Sequence, residues 1–166
     1  MHYHQSVHRG RVAVTEVILH CAAIQTGQFD GMSPWQVFSC VNRWHTERGF
    51  KHGFGYHGLF MPNGAYFPGR PWDMIGAQTI GHNVGTIGLL LIESQKIDRV
   101  GEFSDWFTVA QERSLKAKIG SVPGINKVSG HNDYAPKLCP GFKVKSADWL
   151  PAKSPLDRLL SGAVAS

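Results

Sequence analysis

The chain has 166 residues, of which 42% are hydrophobic and 17% charged, a length that fits one ordinary domain and a composition too apolar for a disordered chain. Lys and Arg outnumber Asp and Glu by 17 to 12, a net charge of +5; this favours contact with nucleic acid, membrane surfaces or bacterial wall polymer without choosing among them, although the basic residues are too scattered to suggest a nucleic-acid reader. No stretch approaches the ~18–20 apolar residues of a membrane span, and Cys21, Cys40 and Cys139, an odd set at irregular spacing, argue against a disulfide framework and for free thiols or a metal ligand.

Residues 1–11 carry His2, His4, His8, Arg9 and Arg11 and are expected to form a mobile N-terminal segment. No apolar block of signal-peptide length precedes Val12, so synthesis and folding in the cytoplasm are expected. Residues 12–20 are rich in β-branched types and predict a strand with His20 at its carboxyl end. Ser33-Pro34-Trp35-Gln36 combines a capping Ser, Pro at the first helical position and Gln three residues after the cap, and so predicts a helix start. Val37, Phe38, Val41 and Trp44 continue it at helical spacing, and Gly49 is its expected stop.

Residues 56–61 predict a strand, Pro62-Asn63-Gly64 a tight turn and residues 65–67 the returning strand of a hairpin. Residues 69–83 read as loop, and the apolar run 86–93, without helical caps, as a buried strand. Thr108-Val109-Ala110-Gln111 is a second capping box, opening a helix expected to end before Gly120. A short strand at 127–129 leads into a polar loop, 131–140, and the tail 151–166 is expected to fray unless Leu156, Leu159 and Leu160 dock on the body. Interleaved helices and strands with one hairpin predict an α/β fold: a single domain, 12–150, with a central mixed β-sheet flanked by α-helices.

The chemistry concentrates in His131-Asn-Asp-Tyr-Ala-Pro-Lys137-Leu-Cys139-Pro140. An imidazole and a thiolate in one Pro-rich loop can converge on an ion, since Zn²⁺ takes nitrogen at about 2.0 Å and sulfur at about 2.3 Å. A third ligand must come from elsewhere, and His20 is the best-placed donor; three protein ligands leave the fourth tetrahedral position open, as in catalytic zinc sites. Gly53-Phe-Gly55-Tyr-His-Gly58 matches the dinucleotide fingerprint in letters only, because a helix precedes it and a hairpin follows; these glycines are expected to form a turn delivering Tyr56. His57, His82 and Asn83 are expected to shape the cleft or bond its loops, and Cys21 and Cys40 to be structural thiols.

Leu19-His20-Cys21, Gly55-Tyr56-His57, Gly69-Arg70, Gly81-His82-Asn83 with Thr86-Ile87-Gly88, and His131 through Pro140 occur in this order over residues 16–150. With them the chain resembles the zinc-dependent N-acetylmuramoyl-L-alanine amidases of the bacteriophage lysozyme type, related in fold to peptidoglycan-recognition proteins. The resemblance implies one zinc ion held by His20, His131 and Cys139, with Tyr56 and Lys137 as catalytic side chains. It implies hydrolysis of the amide between N-acetylmuramic acid and L-alanine in peptidoglycan, by a monomeric phage endolysin that reaches the wall from the host cytoplasm without inserting in the membrane. The other readings are a noncatalytic wall-recognition module and a cytosolic muropeptide-recycling amidase. Recycling relatives carry a Glu where this chain has Leu90, so the mechanism is expected to rest on Tyr56 and Lys137, with Glu93 too far along the strand to substitute. Gln78, where relatives often carry His, is a second departure and is expected to bear on contacts with the substrate.

Overall fold

The computed structural model describes residues 8–9 and 12–162. Most of the expected mobile N-terminal segment, with His2 and His4, lies outside the described residues. His8–Arg9 (β1) pair antiparallel with Val12–Ala13 (β2). The first core strand therefore starts later than expected, at Glu16, because residues 12–13 belong to this separate ribbon.

The main sheet contains β3 (Glu16–Cys21), β4 (Gly58–Phe60), β5 (Tyr66–Pro68), β6 (Thr86–Leu91) and β7 (Lys127–Gly130), in the order β5-β4-β6-β3-β7. Neighbours among β4, β6, β3 and β7 are parallel, and β5 joins antiparallel at the edge through the hairpin. The sheet is mixed, as the sequence predicts. Buried parallel strands need apolar side chains on both faces, and β6, Thr-Ile-Gly-Leu-Leu-Leu, is buried at every position.

Helix α1 (Pro34–Glu47) covers one face and begins with the predicted capping box: the Ser33 side chain accepts from the Gln36 N–H, and the Gln36 side chain accepts from the Ser33 N–H. Such caps are worth about 1 kcal/mol. Its Val37 and Val41 pack with Leu59 and Leu90 of the sheet and with Ile92 just past β6. Helix α3 (Val109–Ser121) covers the other face, with Leu115 and Ile119 against Val17, Leu19, Ile87 and Leu89. It runs through Gly120, past its expected end, because buried Ile119 anchors the last turn.

Two single-turn helices, α2 (Phe103–Trp106) and α4 (Ser146–Trp149), close the α3 side by burying Trp106 and Trp149. Each is too short to show a periodicity in the sequence. The tail carries α5 (Pro155–Gly162), whose Leu156, Leu159 and Leu160 are exposed. The sheet is thus sandwiched between α1 and the α2–α4 layer, and the carboxyl ends of its parallel strands share one edge. Functional sites of open α/β sheets lie at that edge.

Candidate active site

The register of two strands brings the first two site residues together. Leu19 of β3 is opposite Gly130 of β7 in a parallel pair, so the next residues, His20 and His131, leave neighbouring strands side by side. Parallel strands are about 4.8 Å apart, and the two imidazole centroids lie 4.7 Å apart. His20 remains in β3 and is buried. After Gly130 the chain coils into a short 3-10 turn, His131–Asp133, closed by the Asp133 carboxylate accepting from the Gly130 N–H at 2.8 Å.

The 131–140 loop then returns Cys139 to the same point. Its sulfur accepts from the Cys21 N–H at 3.3 Å and lies 3.7 Å from His20 Nδ1. One ligand atom from each of His20, His131 and Cys139 falls within 4.8 Å of the others, and this is the single such group of three among the described residues. A tetrahedral centre with nitrogen and sulfur at zinc distances separates N from S by about 3.6 Å. The His20–Cys139 pair already has that spacing. Two imidazoles and a thiolate are a donor set suited to zinc among common divalent ions.

The thiol chemistry agrees with ligation. The Cys139 pKa is held well below its ordinary value chiefly because the Cys21 thiol hydrogen-bonds its sulfur, with His131 adding to the effect, outweighing burial. Cys21 is correspondingly pushed up by that same bond and by burial, so it keeps the proton of the pair.

Tyr56 lies in the bend just before β4, not within a strand as expected, with its ring 5.0 Å from that of His20. Burial, and then the neighbouring Cys139, push its hydroxyl pKa up, so it stays protonated and serves as a hydrogen-bond donor. The glycines before it form a turn, as expected. Gly55 is pressed so close to the Ala77 carbonyl that a Cβ would sit 2.3 Å from that oxygen. Lys137 is exposed in the 131–140 loop, two residues before Cys139. Leu90 is fully buried against α1.

Four residues do more than the sequence reveals. Gln78 does not reach outward to a substrate: it is buried, and its side-chain oxygen lies 2.6 Å from His20 Nε2. Glu93, considered only as a base, instead clamps the loop after β3, accepting from the N–H groups of Ala22 at 2.9 Å and Ile24 at 2.8 Å. Between them Ala23 adopts a left-handed backbone, φ 58°, a conformation that costs a non-glycine residue about 1 kcal/mol or more and persists only when its surroundings hold it. Burial raises the Glu93 pKa, against the lowering effect of these bonds. Thr79, buried, places its hydroxyl 3.3 Å from His20 Nε2. His45 accepts from the Gly55 N–H at 2.9 Å through Nδ1; the spacing Val37, Val41, His45 was the available signal, since it continues the buried stripe of α1.

The remaining polar residues bond loops, as expected. His57 accepts from the Gly88 N–H and contacts the Met74 carbonyl with its other nitrogen. Asn83 accepts from the N–H groups of Gln78 and Thr79, and His82 stacks on Tyr134 at 4.1 Å.

The mixed sheet between helices is the fold of solved amidases and peptidoglycan-recognition proteins. An N-acetylmuramoyl-L-alanine amidase, LysC from Clostridium intestinale URNW, superimposes with a TM-score of 0.58 at 20% identity, covering 92% of this chain and 86% of its own. Bumblebee PGRP-SA gives 0.65 at 19% identity over 84% of this chain and 86% of its own. Human PGRP-IβC, solved with a glycosamyl muramyl pentapeptide, gives 0.62 at 19% identity over 77% of each chain. No protein-family model matches the chain. The endolysin of Enterobacteria phage T3 is 33% identical over 139 residues, covering 80% of this chain and 85% of that protein; the endolysin of Escherichia phage T7 is 30% identical over 140 residues, covering 81% and 85%. The chain belongs to this family of phage endolysins.

Proposed function

We propose that this endolysin is a zinc-dependent N-acetylmuramoyl-L-alanine amidase, with His20, His131 and Cys139 as metal ligands and Tyr56 and Lys137 as catalytic side chains. The convergence of three ligand atoms within 4.8 Å at the end of two parallel strands carries the reading. The names and bound muropeptides of the structural neighbours supply the substrate class. No helix among the described residues is long and apolar enough to cross a membrane. The net charge of +5 favours approach to anionic wall polymer.

When bound, the ion supplies Lewis acidity and a water activated near neutral pH. The chain's own residues do the rest. Water adds its oxygen to the lactyl carbonyl carbon, and the bond from that carbon to the alanine nitrogen breaks. The carbonyl oxygen becomes negative as the addition proceeds, and the Tyr56 hydroxyl, kept protonated by its surroundings, donates a hydrogen bond to it. The Lys137 ammonium, carried on the ligand loop, opposes the same charge. The departing amine must gain a proton, which one of these two groups donates and then recovers from the proton that the attacking water gives up.

Purified protein incubated with intact sacculi, with and without thorough zinc removal, tests the proposal by mass analysis of the products. The expected result is free L-alanine N-termini on released stem peptides, lost on chelation and restored by Zn²⁺. Full hydrolysis without metal, or binding to sacculi without cleavage, refutes it.

A further inference from the structure

Resting on that zinc reading, we infer that Gln78 is a positioning residue that fixes the tautomer and orientation of His20, presenting Nδ1 to the metal. Hydrogen-bond direction carries the inference, because the chain of donors and acceptors beneath His20 ends on a group that can only accept. The Thr86 hydroxyl donates its one proton to the His82 carbonyl, at 2.7 Å. Its oxygen is then an acceptor toward Gln78, whose amide NH₂ donates to it at 3.0 Å. The Gln78 oxygen is thereby turned to His20 Nε2 at 2.6 Å, and Nε2 must carry the proton. Neutral imidazole holds one proton, so Nδ1 is left with its lone pair, facing the Cys139 sulfur at 3.7 Å. The Thr79 hydroxyl reinforces the arrangement by donating to the same Gln78 oxygen.

The backbone is shaped to seat this side chain. A Cβ on Gly88 would lie 2.4 Å from Gln78 Cγ and 2.8 Å from its Cδ. The glycine in the middle of β6 thus creates the recess in which Gln78 lies flat against the sheet. Asn83 closes the other side by accepting from the Gln78 and Thr79 N–H groups, both at 2.9 Å. Partners that orient ligand imidazoles in this way typically change metal affinity about 10- to 100-fold when removed. The role needs an acceptor, not a carboxylate or a titrating group, and a neutral amide adds no charge to the buried site.

Two measurements test the inference. Nitrogen-15 NMR of the histidines in the zinc-free wild type, in mildly alkaline buffer, should assign His20 to the Nε2–H tautomer; finding Nδ1–H overturns the inference whatever the protein does with zinc. Zinc affinity by chelator competition should then fall about 10- to 100-fold in Gln78→Leu and stay within a few-fold of wild type in Gln78→Glu, which keeps the acceptor. Gly88→Ala, which crowds Gln78 out of its recess, should weaken zinc in the same sense. Unchanged zinc affinity in folded Gln78→Leu, or equal losses in Gln78→Leu and Gln78→Glu, overturns the positioning role. A wild type that binds no zinc overturns the zinc reading instead, and the tautomer measurement keeps the two failures apart.

Discussion

His45 should make the protein acid-sensitive by a calculable amount. It is 5% exposed in the last turn of α1, and burial first, then the cations Arg48 and Arg70, lower its pKa from 6.5 to about 4. Its Nδ1 accepts the Gly55 N–H, so protonation would also set two donors against each other beside Tyr56. Between these two pKa values the unfolded chain binds the proton and the folded chain does not, so stability is full above the unfolded value and falls as pH drops through the window. Linkage puts the loss at about 2 kcal/mol near pH 5 and about 3 kcal/mol near pH 4. Urea unfolding of zinc-free wild type and His45→Asn, from about pH 7.5 to about pH 4, isolates this contribution. Asn can keep an acceptor for Gly55 but does not titrate, while buried His57, whose pKa is also lowered, contributes equally to both proteins. The variant should start less stable, for lack of the ring, and the gap should close or reverse on acidification. Parallel stability curves would show that His45 is not the buried neutral group described here.

Cys139→Ser should weaken zinc binding by at least about 100-fold and abolish wall hydrolysis, with a zinc-free melting temperature close to wild type; chelator competition and sacculus assays check both. Glu93→Ala should cost about 2–4 kcal/mol in chemical denaturation, since it orphans the buried N–H of Ile24 and the half-buried N–H of Ala22, and Glu93→Gln should cost less because it retains an acceptor. Leu115→Ala, emptying a fully buried position of α3, should cost about 2–5 kcal/mol. Removal of residues 155–166 should change stability by less than about 0.5 kcal/mol, because every side chain described in α5 is exposed.

The parts of the fold governed by local chemistry were legible in the sequence. The boxes at Ser33 and Thr108 place α1 and α3 because the caps involve residues three apart, and the hairpin around Pro62-Asn63-Gly64 follows from its turn residues. The convergence of His20, His131 and Cys139 was legible because imidazole and thiolate have few other reasons to share a loop. Glu93 and Gln78 were not, since their partners are 71 and 58 residues away in sequence and backbone N–H groups leave no letter to read. Gln78, standing where relatives often carry His, bears in sequence on the substrate side, whereas the structure turns it inward under His20. The helical run through Gly120 and the late start of β3 turn on tertiary packing and on pairing with β1, which periodicity does not report.

Because β7 ends opposite Leu19, the proximity of His20 and His131 is inherited from backbone pairing and not from any adaptable side chain. Inserting or deleting one residue within 16–19 or 127–130 would flip the alternation downstream and point an imidazole into the α3 core. Connecting segments such as 25–33 or 95–101 face no comparable restriction. Descendants of this chain can therefore lengthen or shorten around the rim, while two short stretches far apart in the gene must keep their length in step.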